Sequence, residues 1–183
     1  MIDRRAFVLA TACAGLVLAL PVLAQTADPN LVYLDTKDGR VTIRLRPDLA
    51  PHHVQQIKTL VKQGFYNGLL FHRVIGGFMA QTGDPTGTGS GGSNLPDLKA
   101  EFTKTPFKRG TIGMARTSDP DSANSQFFIC FGDASFLNGQ YTVVGEVVSG
   151  MDVVDKIKKG DPQSGAVSNP DKIVRMQLAA DAK

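Results

Sequence analysis

Residues 71–81 read FHRVIGGFMAQ, and this stretch places one arginine, Arg73, among apolar side chains on either side of a Gly-Gly pair. An arginine is rarely left in apolar surroundings without a partner or a task. The pattern on both sides of the glycines predicts strand, turn and strand, so that side chains from both strands return to one face. The side chains predicted to share that face are Phe71, Arg73, Phe78, Met79 and Gln81. We therefore predict an apolar pocket with a guanidinium at its edge.

Two later segments supply further side chains of the same kind. SQFFI at residues 125–129 puts Gln126 and Phe128 on one face of a strand, and a short segment exposes Phe136 and Leu137. The predicted pocket holds no carboxylate pair, no nucleophile beside a base and no metal cluster, so acid-base and covalent hydrolysis are unsupported. Rotation about an X–Pro bond needs none of these groups. It breaks no covalent bond, yet it has a barrier of roughly 18–20 kcal/mol because amide resonance is lost.

Composition limits the class of protein. The chain has 183 residues, 42% hydrophobic and 20% charged, which is typical of one soluble globular domain with a short appendage. Its net charge of +3 is too small and too evenly spread to indicate nucleic-acid binding.

Beyond the N-terminal segment Cys130 stands alone, which excludes a disulfide scaffold and predicts a buried, unreactive thiol. The adjacent His52 and His53 would diverge on a helix, so we expect surface or capping histidines and no metal site.

The first 24 residues are typical of a cleavable export signal. Arg4-Arg5 precedes an apolar run from Ala6 to Leu23, and the small residues at its end predict cleavage after Ala24. The mature domain, residues 25–183, would then lie in the periplasm of a bacterium without stable membrane insertion. The alternative is an uncleaved membrane anchor, since roughly 18 apolar residues can just span a bilayer. The arginine pair fits a twin-arginine signal as well as an ordinary Sec signal.

The rest of the chain alternates strand patterns with two helix patterns. LVYLDT and GRVTIRL, at residues 31–36 and 39–45, predict a hairpin because Asp-Gly lies between them. Further strands are expected at 111–115, 125–129, 140–148 and 172–178. One amphipathic helix is expected between residues 47 and 64, and a second from an N-cap at Ser149 to Gly160. Strands over the whole length with only two helices predict a mainly β fold, a closed or nearly closed barrel capped by helices.

A glycine-rich segment at residues 83–98 contains a formal G-x-G-x-x-G motif at Gly87, Gly89 and Gly92. Dinucleotide binding requires this motif to follow a strand and to open a helix. Pro96 follows within a few residues and no helical pattern begins here. The glycines therefore predict a tight surface loop.

These segments together resemble the cyclophilins. The resemblance is carried by FHRVIGGFMAQTGDPTGTGSGG, GTIGMA, SQFFIC and FLNGQYTVVGEVVSGMDVVDKI, and it extends over residues 31–178. It implies a closed eight-stranded antiparallel β-barrel capped by two α-helices. It also implies peptidyl-prolyl cis-trans isomerisation without a cofactor or a metal, by a monomer that acts on proline-containing unfolded or partly folded polypeptides.

The resemblance also implies roles for individual residues. Arg73 would donate toward the proline nitrogen as that atom pyramidalises, and Gln81 would steady the arginine. Ala115 and Arg116 would bind the peptide on the N-terminal side of the proline. The implied catalytic residues are Arg73, Gln81 and Phe78. The implied substrate-binding residues are Met79, Ala115, Arg116, Gln126, Phe128, Phe136, Leu137 and Tyr141.

Three positions depart from patterns common in that family. Phe136 stands where many eukaryotic members carry a tryptophan, so the ring lacks an N–H donor and weak cyclosporin binding is implied. Tyr141 replaces a common histidine and Arg116 a common asparagine, which leaves the substrate preference open. The expected function is an exported proline isomerase that accelerates slow folding steps of exported proteins. The alternative is a proline-peptide-binding chaperone module in which turnover is secondary.

Overall fold

The computed structural model describes residues 28–182, and the predicted signal peptide at residues 1–24 lies outside the described residues. The strands are β1 (Leu31–Thr36), β2 (Gly39–Leu45), β3 (Arg73–Ile75), β4 (Met79–Thr82), β5 (Thr111–Met114), β6 (Phe127–Cys130), β7 (Val143–Ser149) and β8 (Arg175–Leu178). The α-helices are α1 (Pro51–Lys62) and α2 (Met151–Val154), and short 3-10 helices occupy Ser135–Leu137 and Ala179–Asp181. No helix among the described residues is long and apolar enough to span a membrane.

The first hairpin forms at the predicted residues. β1 and β2 pair antiparallel over their whole length, from Leu31 opposite Arg44 to Thr36 opposite Gly39. The Thr36 hydroxyl closes the turn, because it donates to the Gly39 carbonyl at 3.2 Å and accepts from the Asp38 N–H at 3.1 Å. Gly39 has a φ of 134°, which a residue with a Cβ rarely adopts. Both predicted strands and their Asp-Gly turn are confirmed.

All eight strands belong to one sheet in the order β3-β4-β6-β5-β7-β2-β1-β8, and every pair is antiparallel. The mainly β architecture with eight antiparallel strands and two helices is therefore confirmed. The predicted closure is not, because no ladder joins the edge strands β3 and β8 in the described residues. The segments leading into them meet at a single bridge, Leu70 with Lys172. Nearby Asn169 has a φ of 53° and Pro170 has no N–H, so the backbone here is too irregular for a continuous ladder.

The first helix lies within the range that the apolar spacing predicts, and the second helix is shorter than predicted. α1 has Pro51 at its first position and buries one face against the main core. α2 is a single turn. The predicted N-cap at Ser149 is wrong, because Ser149 pairs with Thr42 as the last residue of β7. The chain instead enters α2 through Gly150 at a φ of 91°, where a Cβ would lie 2.4 Å from the Arg40 carbonyl oxygen.

Apolar side chains form two clusters on opposite faces of the sheet. The larger cluster lies beneath α1 and includes Phe127 and Ile129 of β6, whereas Phe128 and Cys130 belong to the smaller one. Phe71, predicted to share a face with Arg73, is completely buried in the larger cluster, so that prediction is wrong. It precedes β3, where the alternation of faces has not yet begun. Cys130 is buried as expected, and burial raises the pKa of its thiol to about 12.

His53 departs from its predicted position at the surface or at a cap, because its side chain is fully buried at the start of α1. The Glu101 carboxylate accepts hydrogen bonds from the His53 ring Nδ1 at 2.6 Å, from the His53 N–H at 3.1 Å and from the His52 N–H at 3.2 Å. Partial burial opposes ionisation of this carboxylate, yet the hydrogen bonds from His53 and His52 hold the pKa of Glu101 below its usual range. The side chain thus ties the loop before β5 to the first turn of α1.

We expect Glu101→Gln to flatten the acid limb of the stability profile. Because the folded-state pKa of Glu101 is lowered, its contribution is complete above the ordinary value of 4.5 and is lost as the pH falls through the folded value. The measurement is urea unfolding at pH 7 and at pH 3.5. The difference in free energy of unfolding between the two pH values should be smaller in the variant than in the wild type. The matched control is Glu146→Gln, since the Glu146 carboxylate makes no hydrogen bond or ion pair within residues 28–182. An equal flattening in that control would contradict the prediction.

Candidate active site

The hairpin of β3 and β4 brings Arg73 and Gln81 together. They are directly opposite in the register of this pair, so both side chains leave the same face of the sheet. The turn between the strands is closed by the Phe78 N–H, which donates to the Ile75 carbonyl at 3.1 Å, and Gly77 adopts a φ of 78°. The Gly-Gly pair therefore serves as the predicted turn, and it returns Phe78 and β4 to the side of the arginine.

The floor of the site comes from β6 and β5. Phe128 lies opposite Gln81 on one side and opposite Gly113 on the other. Its ring stacks on Phe107 with centroids 5.8 Å apart. A Cβ at Gly113 would lie 2.5 Å from Cζ of Phe128 and 2.6 Å from Cε1 of Phe107. The missing side chain of Gly113 therefore provides the space that these two rings occupy.

These elements enclose a cavity of about 250 Å³, which we call the apolar cavity. Its lining consists of ten of the eleven site residues predicted from the sequence: Arg73, Phe78, Met79, Gln81, Ala115, Arg116, Phe128, Phe136, Leu137 and Tyr141. The eleventh, Gln126, lines a neighbouring groove of about 440 Å³ that shares Gln81, Ala115 and Arg116 with the cavity. The structure therefore brings all the predicted site residues to one place.

The walls of the apolar cavity combine buried and exposed side chains. Met79, Phe128 and Leu137 are buried and form its base, so the predicted exposure of Leu137 is wrong. Phe136 is 62% exposed at the rim, where its ring lies 5.1 Å from the ring of Phe78. Tyr141 meets Phe128 edge to face at 5.9 Å. A small apolar ring could thus be covered on several sides while the peptide attached to it stays in solvent.

Arg73 is held by neutral groups alone. Its Nε donates to the Ser164 carbonyl at 3.1 Å, and one Nη donates to Oε1 of Gln81 at 3.2 Å. No carboxylate of the described residues lies within ion-pair distance of this guanidinium, whereas Arg40, Arg44, Arg46 and Arg109 all have such a partner. The positive charge at the edge of the apolar cavity is therefore uncompensated, and the planar group still has N–H donors to offer.

Arg116 presents a free stretch of backbone beside the cavity. Its side chain lies over the ring of Tyr141 at 4.5 Å and donates to the Gln140 and Thr117 carbonyls. Within residues 28–182 neither the N–H nor the C=O of Arg116 makes a hydrogen bond. An extended peptide could pair with these two groups as a strand pairs with a sheet edge.

The lining offers little for other chemistries. The apolar cavity has no carboxylate, thiol or imidazole in its wall. Among the described residues, no group of three or more His, Cys, Asp or Glu is placed to hold a metal ion. What the cavity offers is an apolar seat, a cation and polar amide groups.

Three contributors to the site were not predicted from the sequence. Phe107 supports Phe128, Gly113 leaves room for both rings, and Ser164 supplies a carbonyl to Arg73. The role of Gly113 could have been predicted from the sequence, because a glycine inside a strand pattern often marks a close approach of another group. The role of Ser164 could not, because Ser164 contributes a backbone carbonyl and is 91 residues away from Arg73 in the chain.

Comparisons with known proteins agree with this geometry. The model of the family described as cyclophilin type peptidyl-prolyl cis-trans isomerase/CLD matches residues 31–178. A probable peptidyl-prolyl cis-trans isomerase of Brucella suis is 58% identical, with 98% of each chain covered. A peptidyl-prolyl cis-trans isomerase of Helicobacter pylori is 45% identical over 81% of this chain and 91% of the relative.

Two solved structures have similar folds. A cyclophilin from Hirschia baltica superposes with a TM-score of 0.76 at 29% identity, covering 85% of this chain and 76% of that one. A cyclophilin-type peptidyl-prolyl cis-trans isomerase from Cryptosporidium parvum, studied in the presence of the dipeptide Ala-Pro, superposes with a TM-score of 0.74 at 28% identity. It covers 81% of this chain and 98% of its own.

Proposed function

The chain belongs to the cyclophilin-type peptidyl-prolyl cis-trans isomerases and catalyses rotation about X–Pro peptide bonds, and we propose that it does so in the apolar cavity with Arg73 as the catalytic donor. The observation that carries the assignment is the uncompensated guanidinium of Arg73 at the edge of that cavity. The test is isomerisation of an Ala-Pro peptide by an Arg73 variant, and a wild-type rate in that variant would contradict the assignment.

The mechanism follows from what the X–Pro bond requires. During rotation the amide loses its resonance, and the proline nitrogen pyramidalises and regains its lone pair. A donor aimed at that lone pair stabilises the twisted amide more than the planar one, and this difference lowers the barrier. In our proposal Arg73 supplies the donor and Phe78, Met79, Phe128 and Leu137 hold the ring. Gln81 supports this role by accepting from Arg73 at 3.2 Å.

We place the peptide segment before the proline along Ala115 and Arg116. The free N–H and C=O of Arg116 support this path, because two backbone hydrogen bonds would fix an extended peptide next to the apolar cavity. The guanidinium of Arg116 and the ring of Tyr141 would then face the side chains of that segment. The Ala-Pro dipeptide present with the Cryptosporidium parvum relative supports proline-containing peptides as the ligand class.

We propose further that the protein acts in the periplasm on exported polypeptides, as a monomer. Support comes from Arg4-Arg5 and the apolar run that follows, which together match an export signal. Folding of exported proteins includes X–Pro isomerisation steps that last tens to hundreds of seconds without catalysis. Cyclosporin is expected to bind only weakly, since Phe136 has no N–H donor at the rim of the cavity.

We expect the full-length chain, expressed in a Gram-negative host, to be recovered from the periplasmic fraction with Gln25 as its first residue. The measurement is cell fractionation followed by intact-mass analysis. Replacing Arg4-Arg5 with two lysines distinguishes the routes, because a twin-arginine signal should fail and a Sec signal should still work. A chain that keeps Met1 and stays in the membrane fraction would contradict cleavage and would support the anchor instead.

A second candidate is a proline-peptide-binding chaperone module in which turnover is secondary. The rim position of Phe136, which is 62% exposed, favours peptide contact in either case. The two candidates differ in what they require of Arg73, because a module that only binds would tolerate the loss of a donor aimed at the proline nitrogen.

A further inference from the structure

Asp84, two residues after β4, is a buried carboxylate without a cationic partner. Its side chain is 1% exposed, and no Lys, Arg or His of the described residues pairs with it. Its oxygens accept hydrogen bonds from the Thr86 N–H at 2.7 Å, from the Thr86 hydroxyl at 2.8 Å and from the Gly89 N–H at 2.5 Å. Gly91 passes so close that a Cβ there would lie 2.1 Å from Oδ1. The glycine-rich loop is thus wrapped around one carboxylate.

The carboxyl group of Asp84 is ionised at neutral pH. Burial alone would raise the pKa of this carboxyl, but the N–H groups of Thr86, Gly89 and Gly91 and the Thr86 hydroxyl outweigh it and hold the pKa at about 2. Buried charges are tolerated when their hydrogen-bonding capacity is filled in this way. The loop therefore has one preferred arrangement, in which its N–H groups point inward.

The same glycines that face Asp84 with their N–H groups face the active site with their carbonyls. The side-chain amide nitrogen of Gln126 donates to the Gly89 carbonyl at 3.0 Å and to the Gly91 carbonyl at 2.8 Å. An amide that turned the other way would place its own oxygen against two carbonyl oxygens. The loop therefore fixes which end of the Gln126 amide faces it.

The orientation of Gln126 fixes the orientation of Gln81 and reaches Arg73. With its nitrogen on the loop, Gln126 presents Oε1 to the amide nitrogen of Gln81, which donates at 2.9 Å. Gln81 then presents its own Oε1 to Arg73, which donates to it at 3.2 Å. A reversed Gln81 would put an NH₂ group against the guanidinium, where no hydrogen bond is possible. The acceptor that steadies Arg73 thus depends on the direction of the whole series of amides.

We propose that Asp84 is a positioning residue for the isomerisation: it holds the loop of residues 84–91 so that Gln126 and Gln81 present an acceptor to Arg73. The inference rests on the proposed role of Arg73, and it adds a residue that does not touch the apolar cavity. Hydrogen bonds in series polarise and orient one another, so a change at one end is felt at the other.

The test is a double-mutant cycle of Asp84→Asn and Gln126→Leu. Asparagine turns one carboxylate oxygen into an NH₂ group that faces the N–H groups of the loop. We expect kcat/KM for an Ala-Pro peptide to fall about 10-fold in Asp84→Asn, mainly in kcat, and to change by less than about 2-fold when the same substitution is made in the Gln126→Leu background. The Arg73 Nε–H resonance should shift in both single variants.

Stability is measured in parallel, because a structural role would lower the free energy of unfolding equally in both backgrounds. The matched control is Asp28→Asn, since Asp28 also accepts from the N–H two residues on, at 2.9 Å, but does so away from Gln126. If Asp84→Asn does not fold, Thr86→Val leaves the carboxylate in place and removes the hydroxyl that donates to Asp84 at 2.8 Å and also bonds Thr88. It should give a smaller loss with the same dependence on Gln126.

An unchanged kcat/KM in the folded Asp84→Asn protein would overturn the proposal. So would an equal fold-loss in the two backgrounds, since that would make Asp84 independent of Gln126. Neither result would affect the role of Arg73. A wild-type rate in Arg73→Ala would instead remove the proposed function itself, so the two failures are distinguishable.

Discussion

Replacing Arg73 with alanine is expected to lower kcat/KM for an Ala-Pro peptide by about 10²-fold or more, the scale of losing one preorganised donor to the transition state. The loss should lie mainly in kcat, because the donor acts on the twisted amide and not on the planar one. The apolar cavity keeps its other walls in this variant, so peptide binding should change much less. The measurement is a protease-coupled or NMR exchange assay at several substrate concentrations.

Two further substitutions make the result specific to the donor. Arg175→Ala is the matched control, because Arg175 is also an arginine without a carboxylate within ion-pair distance among residues 28–182, but it lies in β8 outside the site. It should leave kcat/KM unchanged. Arg73→Lys keeps the charge but loses the planar guanidinium and its fixed directions of donation. The lysine cannot donate to Ser164, Gln81 and the proline nitrogen together, so this variant should remain impaired. Full activity in Arg73→Ala would contradict the mechanism.

The same variant separates the isomerase from the chaperone module. A protein that refolds with a slow X–Pro phase should be accelerated by the wild type and not by Arg73→Ala. If the protein is a binding module, the wild type and Arg73→Ala should instead accelerate refolding equally. The reason is that the apolar cavity and the backbone of Arg116 persist in the variant. Equal acceleration would therefore favour the second candidate.

The sequence predicted best those features that depend on short stretches. The β1–β2 hairpin follows from an Asp-Gly turn between two β-rich runs, and its strands begin and end where expected. Ten of the eleven predicted site residues line one cavity and Gln126 lines the adjoining groove, because residues 71–81 form a hairpin that meets β6 edge to edge.

The errors arose where a distant segment outweighed a local preference. Ser149 has the chemistry of an N-cap, but pairing with Thr42 keeps it in β7 and leaves the cap to Gly150. Closure of the barrel depended on residues about 100 apart, and the irregular backbone at Asn169 and Pro170 interrupts the ladder there.

The role of Asp84 could not be predicted from the sequence, for a related reason. The loop of residues 83–98 was correctly predicted as a tight surface loop, but sequence alone does not show which N–H groups a carboxylate collects.

The two phenylalanines of the opening stretch are expected to separate stability from activity. Phe71→Ala removes a completely buried ring from the main core and should lower the free energy of unfolding by about 3–5 kcal/mol. Phe78→Ala removes a half-buried ring from the wall of the apolar cavity, so it should raise KM about 10-fold with a much smaller loss of stability. Urea unfolding and steady-state kinetics on both variants test the pair.

Comparison of Phe71→Ala with Phe78→Ala decides whether Phe71 belongs to the core or to the site. If it faced the cavity beside Arg73, as alternation from residue 71 suggested, Phe71→Ala would raise KM as Phe78→Ala does. Because it packs in the larger cluster instead, the folded fraction of Phe71→Ala should keep the wild-type KM. Phe71→Leu keeps most of the volume and provides a folded protein if the alanine variant does not fold. A raised KM in folded Phe71→Leu with wild-type stability would place the ring in the site and would contradict the packing described above.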